Sequence, residues 1–105
     1  MEPISIPSAV LAFLLALGCN PTREVYEVDK ILVDGVETLG IYCPIVKEPY
    51  CPVAKAVLIE RGVMDTGVLV HELWHSCQLP AYDNWQRTVN ERQAKSIEKY
   101  WRDRD

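Results

Sequence analysis

Both histidines of this chain lie in one short stretch, residues 68–78, with the spacing H-E-x-x-H. Four residues span slightly more than one helical turn, so on a helix His71 and His75 project from one face with converging imidazoles. Two imidazoles at this spacing are typical ligands of a zinc ion. Glu72 would lie beside the metal rather than on it, where its carboxylate can take a proton from a zinc-activated water. The fold must therefore place a helix next to a polar site.

The residues around the histidines favour a packed helix. Apolar side chains recur at spacings of three and four on the face away from the histidines, namely Val70, Leu73, Trp74 and Cys77. Asp65 or Thr66 can cap the N-terminus, and Leu79-Pro80 ends the helix just past Gln78. An alternative is that the histidines and their glutamate are ordinary polar residues on a solvated face. The apolar run V-L-V before the first histidine favours a helix set in the core.

Two further helices are predicted, one towards each end of the chain. The first begins at Pro7-Ser8 and continues to about Cys19. The second extends from residue 83 or 84 to residue 102, a segment without glycine or proline. Its inward stripe, at spacings of four, three and four, consists of Asn90, Ala94, Ile97 and Trp101.

Three strands are predicted between the helices. Residues 24–33 and 38–43 show loose alternation and flank Asp34-Gly35, which predicts a hairpin. Residues 54–60 form a third strand before the histidine helix. If this third strand lies at the edge of the sheet, its free backbone could accept a peptide by strand addition.

Length and charge limit the class of protein. At 105 residues the chain forms a single domain, residues 1–105, and its net charge of -4 without a basic run argues against nucleic acid as a partner. The apolar run at residues 9–18 is too short to span a bilayer and has no positive charge before it. We therefore expect a core helix, no transmembrane span and a cytoplasmic protein. An exported form, or a form lipid-anchored at Cys19, is the alternative.

The four cysteines lack the C-x-x-C spacing of a structural zinc ribbon. Cys43 and Cys51 bracket a proline-rich loop and could pair in an oxidising compartment. Cys77, on the predicted core face, is interpreted as a small apolar filler.

A catalytic zinc usually has three protein ligands, and without a third histidine the remaining candidates are carboxylates. Asp83, Glu91 and Glu98 all follow the histidine helix. Asp83 is suited to capping the last helix, and Glu98 is suited to ion pairs with Lys95 and Arg102 at helical spacing.

The sequence H-E-L-W-H at residues 71–75, followed by Glu91-Arg92-Gln93-Ala94, resembles the gluzincin arrangement of zinc metallopeptidases. In that family a glutamate on a second helix completes the site. The chain length and the order of elements further resemble those of the minigluzincins. The resemblance implies an α+β fold with an N-terminal backing helix, a small three-stranded sheet, the zinc helix and a C-terminal glutamate helix.

The resemblance also implies that Zn²⁺ is bound by His71, His75 and Glu91, with Glu72 as general base and acid. Gluzincins of full size add a downstream histidine or tyrosine that stabilises the oxyanion. This chain has no further histidine, and Tyr82 and Tyr100 are the unplaced candidates.

Two polar residues are candidates for orienting a ligand histidine from outside the metal shell, Asn90 and Gln78. The expected function is zinc-dependent hydrolysis of a peptide or protein substrate. One alternative is a catalytically inactive zinc-binding interaction module on the same scaffold, of a kind that a phage could encode. Another is a latent peptidase blocked by its own tail, residues 101–105, or by self-association.

Overall fold

Three helices and six short strands make up the fold in the computed structural model, which describes residues 1–63 and 65–104. The helices are α1 (Ser8–Ala16), α2 (Thr66–His75) and α3 (Asn84–Asp103). The strands are β1 (Glu2–Pro3), β2 (Val25–Val28), β3 (Leu32–Val33), β4 (Val36–Glu37), β5 (Gly40–Cys43) and β6 (Ala56–Glu60). The predicted α+β class, with a helix towards each end of the chain, is confirmed.

The main sheet is built around β6. All five residues of this strand are buried, as expected for a continuous apolar run covered on both faces. β6 pairs in parallel with β2 and antiparallel with β5, and β1 adds to the outer side of β2, which gives the order β1-β2-β6-β5. The hypothesis that residues 54–60 form an edge strand is therefore wrong, and β5 and β1 are the edges.

The predicted hairpin is also different in the structure. Residues 24–33 and 38–43 do contain β2 and β5, but β6 lies between these two strands. The turn at Asp34-Gly35 instead joins β3 to β4 in a separate two-stranded sheet, with positive φ at both turn residues. The strands thus form one sheet of four and a second sheet of two, rather than the expected single sheet of three. The most apolar strand, β6, lies between two partners in the larger sheet.

The helices cover one face of the main sheet and form the larger core. This cluster includes Val10 and Leu14 of α1, Val25, Val57 and Ile59 of the sheet, Leu69, Val70 and Leu73 of α2, and Trp101 of α3. Leu58, which points to the opposite face of β6, joins a smaller cluster with Ile31, Cys43 and Cys51. The histidine helix is therefore fixed by its apolar side between the sheet and the other two helices.

Two disulfides are present, Cys19–Cys77 and Cys43–Cys51. The second matches the pairing proposed from the sequence, whereas the interpretation of Cys77 as an apolar filler is wrong. α2 ends at His75, three residues before the predicted end, so Cys77 leaves the helical face and reaches Cys19.

Disulfides persist in oxidising compartments and are rare in the cytosol, so these two bonds do not support the cytoplasmic expectation. In the described part of the chain, no helix combines the length and the apolar character needed to cross a bilayer.

Candidate metal centre

α2 presents the two histidines at the boundary between the core and a cleft. Asp65 caps the helix, and its carboxylate accepts a hydrogen bond from the Gly67 N–H at 2.8 Å. His71 is only 8% exposed, and His75 is partly buried. The centroids of the two imidazoles are 4.9 Å apart, as expected for residues one helical turn apart on one face.

α3 brings the third candidate ligand to the histidines. Its N-terminus is capped by Asp83, which accepts from the Gln86 N–H at 2.8 Å, as the sequence predicts. Glu91 Oε1 is 2.8 Å from His71 Nε2, and Glu91 Oε2 is 3.1 Å from His75 Nε2. Ligand atoms of the three residues all lie within 4.8 Å of one another, so this group could hold a metal ion.

The other ring nitrogen of each histidine contacts an oxygen. His71 Nδ1 is 2.9 Å from Glu98 Oε1, and His75 Nδ1 is 2.6 Å from Gln78 Oε1. An oxygen acceptor at Nδ1 favours the neutral tautomer with its proton on Nδ1, which leaves the lone pair of Nε2 for a metal. Both Nε2 atoms point to Glu91, so the donor set and its surroundings fit a zinc ion with two imidazoles and one carboxylate.

Glu98 is one of the three carboxylates considered as the third ligand, although ion pairs on the helix surface are the interpretation that its spacing favours. Its pair with Arg102 is present, with Arg102 Nη2 2.6 Å from Glu98 Oε2, but the other carboxylate oxygen contacts His71. Glu98 lies seven residues after Glu91, close to two helical turns, and therefore on the same face. This spacing was the available signal.

The contact between Glu98 and His71 is part of a longer chain of polar contacts. Arg102 also contacts Asp65 at 3.0 Å, and this hydrogen bond holds the pKa of Asp65 below its usual value. A methyl group at Gly67 would overlap the Arg102 guanidinium. The lack of a side chain at Gly67 therefore leaves room for Arg102 at this position. The chain from His71 through Glu98 and Arg102 to Asp65 joins α3 to the N-terminus of α2.

Gln78 orients His75 and is itself held by α3. The Gln78 amide donates to the Asn90 carbonyl and to Gln93 Oε1, both at 2.8 Å. The Asn90 side chain donates to the Leu79 carbonyl at 3.1 Å. The structure therefore brings Gln78 to a histidine, whereas Asn90 acts on that histidine only through Gln78.

Glu72 lies in the wall of the cleft beside His75. Burial raises the pKa of Glu72, while the positive charge that His71 and His75 can carry acts in the opposite direction. β5 approaches closely here, since a Cβ at Gly40 would be 3.2 Å from Glu72 Cγ. A carboxylate with a raised pKa is a stronger base, and this property suits a group that accepts and returns a proton.

The cleft has a volume of about 430 Å³. It is lined by Ile41, Tyr42, Pro44, Glu72, His75, Gln78, Leu79, Pro80, Ala81, Arg87, Asn90 and Glu91. Tyr82 and Tyr100, the tyrosines considered for the oxyanion, are outside this lining: both are exposed, and the Tyr100 ring is tilted against that of Phe13 at 5.5 Å. Tyr42 does line the cleft, and burial raises the pKa of its phenol. Tyr42 was not predicted from the sequence, because it precedes the histidine helix and only tyrosines after that helix were considered.

The tail considered as a blocking segment packs away from the ligands. Residues 101–103 belong to α3, Trp101 is buried with its ring 5.1 Å from that of Phe13, and Arg104 stacks on Trp101. Asp105 lies outside the described residues.

The geometry thus stands on the residues of this chain alone. In comparisons with protein-family models, with curated proteins and with solved structures, no match to this chain was found.

Proposed function

We propose that the protein is a zinc-dependent peptidase of the gluzincin type. The observation that carries the proposal is the convergence of His71 Nε2 and His75 Nε2 on Glu91, with an oxygen acceptor at both Nδ1 atoms. Glu72 adds a partly buried carboxylate beside this group in the wall of an open cleft. A structural metal site would need neither a base nor a cleft.

Each residue has a role in hydrolysis. A zinc ion held by the three ligands would supply the Lewis acidity that activates a water and polarises the scissile carbonyl. Glu72 takes a proton from the attacking water and returns it to the departing amine, so the carboxylate is regenerated after each turnover. The Tyr42 phenol, at the other wall of the cleft, is the candidate donor to the oxyanion.

The substrate proposed for this cleft is an extended peptide. β5 is an edge strand of the main sheet and borders the cleft through Ile41 and Tyr42. An edge strand presents unpaired backbone groups that can pair with an added strand. The peptide is therefore proposed to pair with β5, and not with residues 54–60 as expected from the sequence.

The alternative is a zinc-binding interaction module that does not turn substrate over. This alternative is favoured because Tyr82 and Tyr100 are outside the lining of the cleft. Among the described residues, Tyr42 is then the tyrosine that lines the cleft with the candidate ligands. The two functions differ in what Glu72 does, because an interaction module needs the ligands but no base.

The test combines zinc content, measured by elemental mass spectrometry, with turnover of a quenched fluorescent peptide library. We expect about one zinc per chain in the wild type and in Glu72→Gln, and loss of zinc in Glu91→Ala. Arg92→Ala, exposed on the same helix, is the matched control and should retain both properties. Turnover should be lost in Glu72→Gln. Full turnover in Glu72→Gln would refute the mechanism, and zinc binding without any turnover in the wild type would contradict an active peptidase and favour the interaction module.

A further inference from the structure

One end of the cleft carries positive charge in a chain whose net charge is -4. Arg87 lines the cleft together with Glu91, and it lies on α3 four residues before this candidate ligand. Residues four apart share one face of a helix and are separated by about 6 Å along its axis. The Arg87 backbone is therefore about one helical turn from Glu91, and both side chains line the cleft.

Arg87 differs from the arginines that have structural partners. Arg61 contacts three carboxylates and Arg102 contacts two. Within residues 1–63 and 65–104, Arg87 has no carboxylate at ion-pair distance, and its side-chain hydrogen bond is a 3.5 Å contact to Asn84 Oδ1. A guanidinium in the wall of a cleft without an ion-pair partner can attract an anion that enters the cleft.

Resting on the proposed peptidase function, we propose that Arg87 binds a substrate carboxylate. About 6 Å along α3 corresponds to about two residues of an extended peptide, at roughly 3.3 Å per residue. The preferred substrates therefore carry a carboxylate about two residues from the scissile bond. This carboxylate is either the chain terminus or an Asp or Glu side chain, because a guanidinium binds both in the same bidentate way.

Three matched peptides test the proposal. They share one sequence and differ two residues from the scissile bond, where the first has a free C-terminal carboxylate, the second a C-terminal amide, and the third an Asp side chain in an amidated chain. Dissociation constants are measured by calorimetry on the zinc-loaded protein, and kcat/KM is measured with the same peptides. A charge-assisted hydrogen bond predicts about tenfold tighter binding of a carboxylate peptide than of the amide. Comparison of the first and third peptides identifies which carboxylate the cleft prefers.

Variants assign this preference to its residues. Arg87→Gln should abolish it, and Arg92→Gln, exposed on the same helix, should leave it unchanged. Equal affinity of the wild type for acid and amide peptides, or no binding of either, overturns the proposal. A preference that survives Arg87→Gln but disappears without zinc also overturns it, because the carboxylate then binds the metal. A preference without turnover would sustain the carboxylate site and refute the peptidase function, so the two failures are distinguishable.

Discussion

Removing the Glu98 carboxylate should weaken zinc binding although Glu98 is not a proposed ligand. In the structure Glu98 Oε1 contacts His71 Nδ1 at 2.9 Å, and Arg102 holds the other carboxylate oxygen. Without this acceptor, His71 loses the contact that orients its ring. Because His71 is only 8% exposed, water replaces the lost acceptor poorly.

Loss of an outer partner of a metal ligand typically lowers metal affinity about 10–100-fold, or about 1.4–2.7 kcal/mol. The Glu98 side chain is 24% exposed, so solvent screens part of its interaction and we expect about 30-fold for Glu98→Ala. Glu98→Gln retains an oxygen for Nδ1 but presents an uncharged amide to Arg102. Its loss of zinc affinity should therefore be smaller than that of Glu98→Ala.

The assay is competition for zinc with a chromophoric chelator at pH 7, with circular dichroism to verify folding of each variant. Lys95→Ala, exposed on the same helix, is the control and should bind zinc as the wild type does. The reasoning is refuted if Glu98→Ala binds zinc within about twofold of the wild type while Glu91→Ala loses it.

Three other predictions test the surroundings of the site. Arg102 lowers the pKa of Asp65 in the folded state, so the folded state binds this proton less readily than the unfolded state, and the stabilisation is lost as pH falls below about 4. The stability advantage of the wild type over Asp65→Asn, measured by urea unfolding, should therefore be full at pH 7 and shrink below about pH 4. Cys77→Ser opens a cross-link over 58 residues and should lower the free energy of unfolding by about 4 kcal/mol, whereas Cys51→Ser opens one over 8 residues and should lower it by about 2.5 kcal/mol. Both values are measured by denaturant unfolding of the oxidised proteins, and equal losses would contradict the loop-entropy argument. Tyr42→Phe should lower kcat at least tenfold with little change in KM, and an unchanged kcat would remove Tyr42 from the proposed mechanism.

Local periodicity was sufficient for the parts of the site that lie on one helix. The positions of His71 and His75 on a common face follow from the helical repeat, and the observed edge-to-face contact of their rings agrees with it. Gln78 reaches His75 because it follows three residues later. The capping roles of Asp65 and Asp83 also depend only on their immediate neighbours along the chain.

Contacts between distant segments could not be predicted in the same way. The ion pair of Glu98 with Arg102 is present as its spacing predicts, but Glu98 also meets His71 across 27 residues. This second contact was not predicted, because helical spacing specifies a face but not the helix that packs against it. Cys19 meets Cys77 across 58 residues, and their pairing depends on where α2 ends. The position of β6 in the sheet was missed for a similar reason.

The sequence by itself determined the helices, the pair of histidines and the class of fold, because these depend on periodicity and capping among neighbouring residues. The tertiary structure decided that β6 lies between β2 and β5 and that the carboxylates of α3 surround His71. Strand order and helix docking are settled by competition among all apolar surfaces for burial, and this competition involves the whole chain at once.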